Sequence, residues 1–460
     1  MLSNDARFMR LLIIGGSDAG ISAALRAREL RRDLEVAVIL ADSYPNYSIC
    51  GLPFYLSGET DNWRDLAHRT DFDGIELLCK RSAQSFDPNA KVVTTRSTEG
   101  RAENFKYDRL IVATGAKPIL PDIPGIDHVF PLHSMTNSFR IHEEIASKGV
   151  HRAAIVGAGY IGVEMADALT HRKLQVQLIG RSKSVLPSVD PEIGEQIREH
   201  LEEHGVCVRT EVEIDRITKQ GEREFVLEGA SGFQTTAELI VWASGVVPAS
   251  DLAKSAGIET GIRDACKVNQ RMETNLPNVY AAGDCVETWH RILQRYSYLP
   301  LGTTAHKQGR VAGENAAGGE VEFAGSVGTQ VVKVFDLAIA RTGLLDREAE
   351  SGGCSPLTAM TEAYDHKPYY PGAEKLRIRV TGDLRSGLLL GAQIAGHWKA
   401  DVAKRIDVFA TALFHRMKVD EINSLDLSYT PPLGSPWDAV QTASQNWSAM
   451  QRQESEVRKR

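Results

Sequence analysis

The sequence predicts an α/β protein in which two units of parallel strands and helices are followed by an α+β region. Three observations predict this. Residues 10–14 (RLLII) form a short apolar run that leads through GGSDAG into ISAALRARELRR, where small and apolar residues recur at helical spacing. The same order of strand, glycine turn, helix and strand returns at 153–180 as AAIVGAGYIGVEMADALTHRKLQVQLIG. Beyond residue 330, VVKVFDLAIA, EKLRIRV and GLLLGAQIAG read as strands and 402–422 as helix, while the last residues, from 447 on, read as a frayed polar tail.

Composition bounds the function classes. At 460 residues the chain is long enough for two to four domains, and 42% hydrophobic with 25% charged residues is ordinary globular usage. A net charge of −7 leaves no overall basic surface to neutralise a phosphate backbone, so nucleic acid is not expected as a partner. The apolar run Leu11 to Ile14, with Met9 ahead of it as an alternative start, is too short for a signal segment or a membrane span. No membrane partner and a cytoplasmic location are therefore expected. The six cysteines form no C-x-x-C pair, which agrees with a reducing compartment, and no metal site is expected.

In the first unit, Gly15 and Gly20 hold the outer positions of a G-x-G-x-x-G turn, with Gly16 next to the first and Ser17 in the middle position. Gly15 permits a tight turn, Gly20 permits close helix packing, and the exposed amides at the helix start can hold a pyrophosphate. The following strand (35–40) ends in Ala41-Asp42, and Asp42 lies about twenty residues past the turn, where a ribose-binding carboxylate is expected. Loop capping is the other role open to Asp42. The second unit carries the complete motif, Gly157, Gly159 and Gly162, with Tyr160 and Ile161 opening its helix. Its second strand ends in Gly180-Arg181-Ser182-Lys183 rather than in an acid. Arg181 or Lys183 would attract a 2′-phosphate, which favours NADPH over NADH, unless the loop is simply a solvated one beside an NAD site.

Two dinucleotide units imply two dinucleotides, a flavin that receives hydride and a nicotinamide that supplies it, with the flavin in the first unit. LIVATGAKP, with Ala113, Thr114 and Gly115, and LIVWASGVVP, with Gly245, are strands closed by small residues. In AAGDC, Gly283-Asp284 follows a strand end and can place a carboxylate beside a flavin polyol, or can serve a tight turn. Cys50, in NYSICGLPFYLSGE, precedes a helix expected near Leu52, where exposed amides favour a thiolate; a small buried hydrophobe is the other reading. Five residues on stands Tyr55 and not a second thiol, so disulfide chemistry at Cys50 would use a mixed disulfide or a sulfenic acid. His306, in LPLGTTAHKQGR, is a candidate to approach the flavin or the thiol, against a structural role. For Tyr369, Tyr370 and Tyr429, residues alone suggest packing or turn formation, and the other five cysteines read as structural.

Taken in order, NYSICGLPFYLSG, ATGAKP, ASGVVP, TNLPNVYAAGDC, LGTTAHKQGRVAGENAAGG, VGTQVVKVFDLAIARTGL, YYPGA, AKRIDVFATAL and LDLSYTPP span nearly the whole chain. Over that length it resembles the pyridine nucleotide-disulfide oxidoreductases, within them the single-cysteine group of coenzyme A disulfide reductases, NAD(P)H oxidases and persulfide reductases. The resemblance implies two Rossmann-like dinucleotide-binding domains, a discontinuous one for FAD at 1–120 and 248–323 and one for NAD(P)H at 121–247. It further implies a C-terminal α+β dimerisation domain at 324–446 and a tail at 447–460. In the implied homodimer the third domain of one subunit covers the flavin site of the other. Cys50 is then the redox thiol, approached by Tyr429 and one of Tyr369 or Tyr370 from the second subunit, and Tyr429 or His306 protonates the leaving thiolate. In the reductases such a thiol carries coenzyme A as a mixed disulfide, and in the oxidases it becomes a sulfenic acid.

Four positions differ from the family pattern. Asp18 stands where the oxidases usually carry a His, His306 where coenzyme A-dependent members commonly have Asn, and Asn46 where a Ser usually precedes the thiol by four residues. Arg28-Glu29 replaces an Arg pair on the first helix, leaving Arg26, Arg31 and Arg32 as cations for coenzyme A phosphates. No rhodanese domain is expected after residue 460. The expected function is an FAD-dependent, NADPH-preferring reductase of coenzyme A disulfide or a related small disulfide. An NAD(P)H oxidase or a persulfide or polysulfide reductase on the same scaffold is the alternative. A flavoprotein that passes electrons to a ferredoxin-like partner, without a redox thiol, is the reading from a different class.

Overall fold

A computed structural model describes residues 9–69 and 71–457. The strand Arg10–Ile14 lies at the centre of a parallel five-stranded sheet, between Arg109–Val112 and Glu35–Ile39, with Val279–Ala281 and Ile75–Leu78 at the edges. A central strand covered on both faces must be apolar throughout, and Leu11, Leu12 and Ile13 are fully buried. Helix α1 (Asp18–Leu30) leaves this strand through the first glycine turn, and the short helix α2 (Leu52–Ser57) follows the second strand.

The second module repeats the plan. Its parallel sheet runs in the order Cys207–Arg209, Gln175–Ile179, Arg152–Val156, Leu239–Trp242, Phe130–Pro131. Helix α3 (Tyr160–His171) follows the second glycine turn, and α4 (Pro191–Glu203) precedes the edge strand. The chain enters this module after Ala116–Pro118 and leaves it through Val246–Pro248, and these two crossings pair antiparallel. Thr114 Oγ1 donates to the Ala249 carbonyl at 2.6 Å, so the exit strand is pinned to the entry strand. Back in the first module, α5 (Gly302–Ala316) packs along α1 at close range: a Cβ at Gly309 or Gly313 would stand 2.1 or 2.2 Å from the carbonyls of Ala19 and Ala23.

The third module is an antiparallel sheet in the order Gln330–Val334, Leu337–Gly343, Leu389–His397, Lys375–Asp383, Pro356–Tyr364, covered by α6 (Val402–Phe414) and α7 (Ala439–Val457). Helix α7 corrects the expectation of a frayed tail from 447: the described residues up to 457 are helical, and 458–460 lie outside them. Val440, Ala443 and Trp447 are fully buried at helical spacing, and Trp447 Nε1 donates to the Leu357 carbonyl at 2.7 Å. A buried polar network joins the third module to the second. Arg379 pairs with Asp190, Glu192 and Asp346, and Gln393 donates to Asp190 at 2.5 Å, so the buried carboxylate is both paired and hydrogen-bonded. Among the described residues no helix is long and apolar enough to cross a membrane.

Candidate active site

A cavity of about 1490 Å³ opens where the modules meet, larger than a pocket for a drug-sized ligand. Gly15, Gly16 and Ser17 of the first glycine turn line it, with Asp42, the Ala113–Gly115 backbone and Asp284. The turn requires glycine at two places. Gly15 has φ +111°, and a Cβ there would lie 2.0 Å from the Ala113 carbonyl; a Cβ at Gly20 would lie 1.9 Å from the Gly15 carbonyl. The Ser17 side chain makes no capping bond at the start of α1, so the amides there are not closed off by it. A cavity of this size, bounded by a turn that only glycine can form and by carboxylates at both ends, fits a flavin dinucleotide. Asp42 caps its loop, accepting from the Tyr44 amide at 2.9 Å, and also lines the cavity. Thr114 contributes backbone, its hydroxyl being spent on Ala249.

The second glycine turn reaches the same cavity through Tyr160 and Ile161. Gly157 has φ +120°, with a would-be Cβ 2.2 Å from the Ala243 carbonyl, and a Cβ at Gly162 would meet the Gly157 carbonyl at 1.8 Å. A Cβ at Gly159 would meet nothing, so that face is left open. Gly245, φ +108°, closes the neighbouring strand, and Arg181 and Lys183 are exposed just past Ile179. Arg181 makes one solvent-exposed ion pair, with Glu213 at 3.4 Å.

Cys50 is the one cysteine, among the described residues, that lines the cavity; Cys266 and Cys285 are fully buried elsewhere. It sits in the turn Ile49–Gly51 that runs into α2. The environment opposes the expected thiolate: Cys50 is exposed to the open cavity, and its thiol is pushed up, first by desolvation and then by the charges of Asp18, Glu164 and Asp284. A six-residue helix supplies too little dipole to offset three carboxylates. Those acids are perturbed in turn. Burial, reinforced by Asp167, pushes Glu164 up to about 7, and Lys333 opposes it; burial, then Asp18, pushes Asp284 up to about 6. Asp18 is also raised by burial, against the pull of His306 and His68. Near neutral pH Glu164 is therefore only partly ionised. The positive φ of buried Asn46 (57°) explains one departure from the family pattern, because Asn tolerates the left-handed region better than Ser.

His306 does not line the cavity. The tight packing of α5 on α1 turns its ring toward α1, with Nδ1 2.8 Å from Ser22 Oγ and Nε2 3.5 Å from Asp18 Oδ1. It meets Asp18, which lines the cavity, and not the thiol. Tyr369, Tyr370 and Tyr429 are exposed on the third module, Tyr369 at 74%, and none lines the cavity of its own chain. The Tyr429 phenol is pushed up by desolvation and by Tyr369 beside it. Of the cations expected for coenzyme A phosphates, Arg26 is paired with Glu314 (2.6 Å) and Glu29 (2.7 Å), and Arg31 with Asp33 (2.5 Å).

Sequence reasoning missed Glu164, His133, Tyr44 and Tyr47, which all line the cavity. Glu164 had a signal: it stands one helical turn after Tyr160, on the same face. His133, whose Nε2 lies 2.8 Å from the Ala116 carbonyl, Tyr44, packed edge to face with Trp63 and Phe139, and Tyr47, packed edge to face with Tyr44, sit in loops without a periodic pattern.

Comparison with known proteins bears on this geometry. The family model for pyridine nucleotide-disulphide oxidoreductases matches residues 9–309, and that for their dimerisation domain matches 329–439. A protein of Methanocaldococcus jannaschii named NADH oxidase is 32% identical over 446 residues, 95% of this chain and 98% of its own. The coenzyme A-dependent NAD(P)H sulfur oxidoreductase of Pyrococcus furiosus is 33% identical over 438 residues, 94% and 97% of the two chains. The crystal structure of reduced Bacillus anthracis CoADR-RHD superposes with a TM-score of 0.92 at 32% identity, covering 96% of this chain and 81% of that one. With two glycine turns and one cysteine facing a common cavity, and with both family models covering nearly its whole length, the chain belongs to the pyridine nucleotide-disulphide oxidoreductases, NAD(P)H-dependent flavoenzymes of the disulfide reductase type.

Proposed function

We propose that this enzyme is an NADPH-preferring reductase of coenzyme A disulfide or a related small disulfide, with Cys50 as its redox thiol. The observation that carries this reading is the solitary Cys50 sulfur in the cavity, between the first glycine turn and Tyr160, Ile161 and Glu164 of α3. Bound FAD supplies the two-electron link between nicotinamide and sulfur. Gly15 to Gly20, Asp42 and Asp284 hold it, and Gly157 to Gly162 orient the nicotinamide dinucleotide, with Arg181 and Lys183 placed for a 2′-phosphate. The Cys50 thiolate attacks one sulfur of RSSR; the S–S bond breaks, RS⁻ leaves and takes a proton, and a mixed disulfide forms at Cys50. Two electrons cleave that bond, releasing the second thiol and restoring the thiolate. The balance is NADPH, a proton and RSSR to NADP⁺ and two RSH. Glu164, partly protonated at neutral pH, is the nearby acid for the leaving thiolate. Names of relatives that include coenzyme A-dependent sulfur reduction and CoADR support this class of acceptor.

A second reading, reduction of persulfide or polysulfide, is favoured by one observation. Of the three expected cations, Arg26 and Arg31 are paired with carboxylates and Arg32 is exposed, which weakens the grip on coenzyme A phosphates and suits an acceptor without them. Anaerobic NADPH oxidation with coenzyme A disulfide, with polysulfide, and in air without either separates disulfide reductase, persulfide reductase and oxidase. In Cys50→Ser, flavin reduction by NADPH is expected to stay intact while its reoxidation by disulfide is lost. Unchanged turnover would sink the thiol mechanism.

A further inference from the structure

We propose that His200, His204 and Asp336 form a binding site for one divalent transition-metal ion of the zinc class, clamping α4 of the second module to the third module. The two histidines stand four residues apart at the end of α4, on one face, with ring centroids 4.4 Å apart. Asp336 comes from the turn between strands Gln330–Val334 and Leu337–Gly343. One ligand atom from each of the three lies within 4.8 Å of the others. His200 Nε2 and Asp336 Oδ1 are 2.9 Å apart, near the ~3.3 Å that two ligands of a tetrahedral ion with bonds of about 2.0 Å require.

The surroundings suit ligation. His204 Nδ1 lies 2.8 Å from the His200 carbonyl, which only accepts, so the proton sits on Nδ1 and Nε2 keeps its lone pair for a metal. The His204 ring is held flat against Phe335, centroids 4.1 Å apart at 8°. Despite its short contact with Asp336, His200 Nε2 is enclosed and makes no well-formed hydrogen bond, while Nδ1 lies 3.8 Å from the Glu203 carboxylate, too far for a direct hydrogen bond but on its acidic side. His204 and Asp336 are exposed, which leaves an entry path and room for water as a fourth ligand.

Such an ion would fix a turn that is tied to α3, the helix that carries Glu164. The Phe335 amide donates to Asp167 at 2.9 Å, and Lys333 reaches Asp167 at 3.4 Å. Asp167 is one turn from Glu164 on α3. The test is equilibrium dialysis of the FAD-loaded enzyme against micromolar Zn²⁺ in a Cys50→Ser background, which removes the cavity thiol as a competing ligand. We expect one zinc per chain, at least tenfold weaker binding in His204→Ala and in Asp336→Asn, and a zinc-dependent rise in thermal midpoint in the parent alone. Both substituted side chains are exposed, so retained flavin absorbance reports that the variants are folded. No zinc bound by the parent, or zinc binding unmoved by either substitution, would overturn the site.

Discussion

After desolvation and Asp18, the charge on Glu164 is the next influence that opposes ionisation of Cys50. The Glu164 carboxyl is pushed up to about 7 by burial and next by Asp167, so it is mostly neutral at pH 6 and mostly ionised at pH 8. An ionised Glu164 opposes the thiolate, and glutamine at this position removes that opposition. Alkylation of Cys50 by iodoacetamide in the reduced enzyme is therefore expected to be roughly two- to tenfold faster in Glu164→Gln at pH 8 and unchanged at pH 6. Equal rates at pH 8 would mean that the carboxylate does not act on the thiol. Stability follows from the same shift. A carboxyl whose native pKa exceeds its unfolded value of 4.5 binds more protons folded than unfolded, so stability falls as pH rises from 4.5 to about 7 and levels off above. Glu164→Gln should flatten that fall, worth ~1–3 kcal/mol at pH 8, as read by denaturant midpoints. Farther out, Arg181 and Lys183 have no strong tie to give up. Replacing both by alanine should raise the KM for NADPH about 10- to 100-fold, the worth of charge-assisted phosphate contacts, and leave the KM for NADH within about twofold. Parallel losses for both nucleotides would remove the 2′-phosphate reading.

At the scale of elements, the two glycine turns show how one residue type serves folding at one position and ligand approach at the next. Gly157 has φ +120° and no room for a Cβ, whereas Gly159 has φ −88° and open space around it. Gly157→Ala should lower the thermal midpoint by several degrees or prevent folding. Gly159→Ala should leave the midpoint unchanged and raise the KM for the nicotinamide dinucleotide about tenfold by crowding its approach. The two effects exchanged would refute this assignment. These turns are legible in the sequence because a local motif carries their whole geometry: strand, glycine and helix are adjacent in the chain. Helix α7 is not, because its polar residues mask a stripe of Val440, Ala443 and Trp447 whose partner, the sheet edge at Leu357, lies some ninety residues away. The acidity of Cys50 escapes a local reading for the same reason. A helix start is visible locally, but Asp18, Glu164 and Asp284 reach the thiol from three distant parts of the chain. His306 reads as nearer the chemistry than it is because the close contact of α5 with α1 is a tertiary fact, set by Gly309 and Gly313 against Ala19 and Ala23.

The whole molecule leaves one imbalance. Tyr369, Tyr370, Tyr429, Leu433 and Trp437 are all exposed on the third module, a concentration of large apolar groups that marks a surface to be covered. None of these side chains lines the Cys50 cavity of its own chain. If a second copy covers the patch, as a homodimer would, the tyrosines of one subunit serve the thiol of the other, and each active site draws on two chains. Mixing two inactive variants distinguishes this arrangement from one confined to a single chain. A Cys50→Ser homodimer lacks the thiol, and a Tyr369→Ala, Tyr370→Ala, Tyr429→Ala homodimer lacks the phenols. In a hybrid of the two, one site lacks both the thiol and the phenols, and the other combines Cys50 with intact tyrosines from its neighbour. Unfolding and refolding an equal mixture gives about half hybrids by random pairing, each with one restored site of two, so about a quarter of wild-type disulfide reductase activity should return. If the tyrosines act on the thiol of their own chain, every subunit of the hybrid carries a lesion and no activity returns.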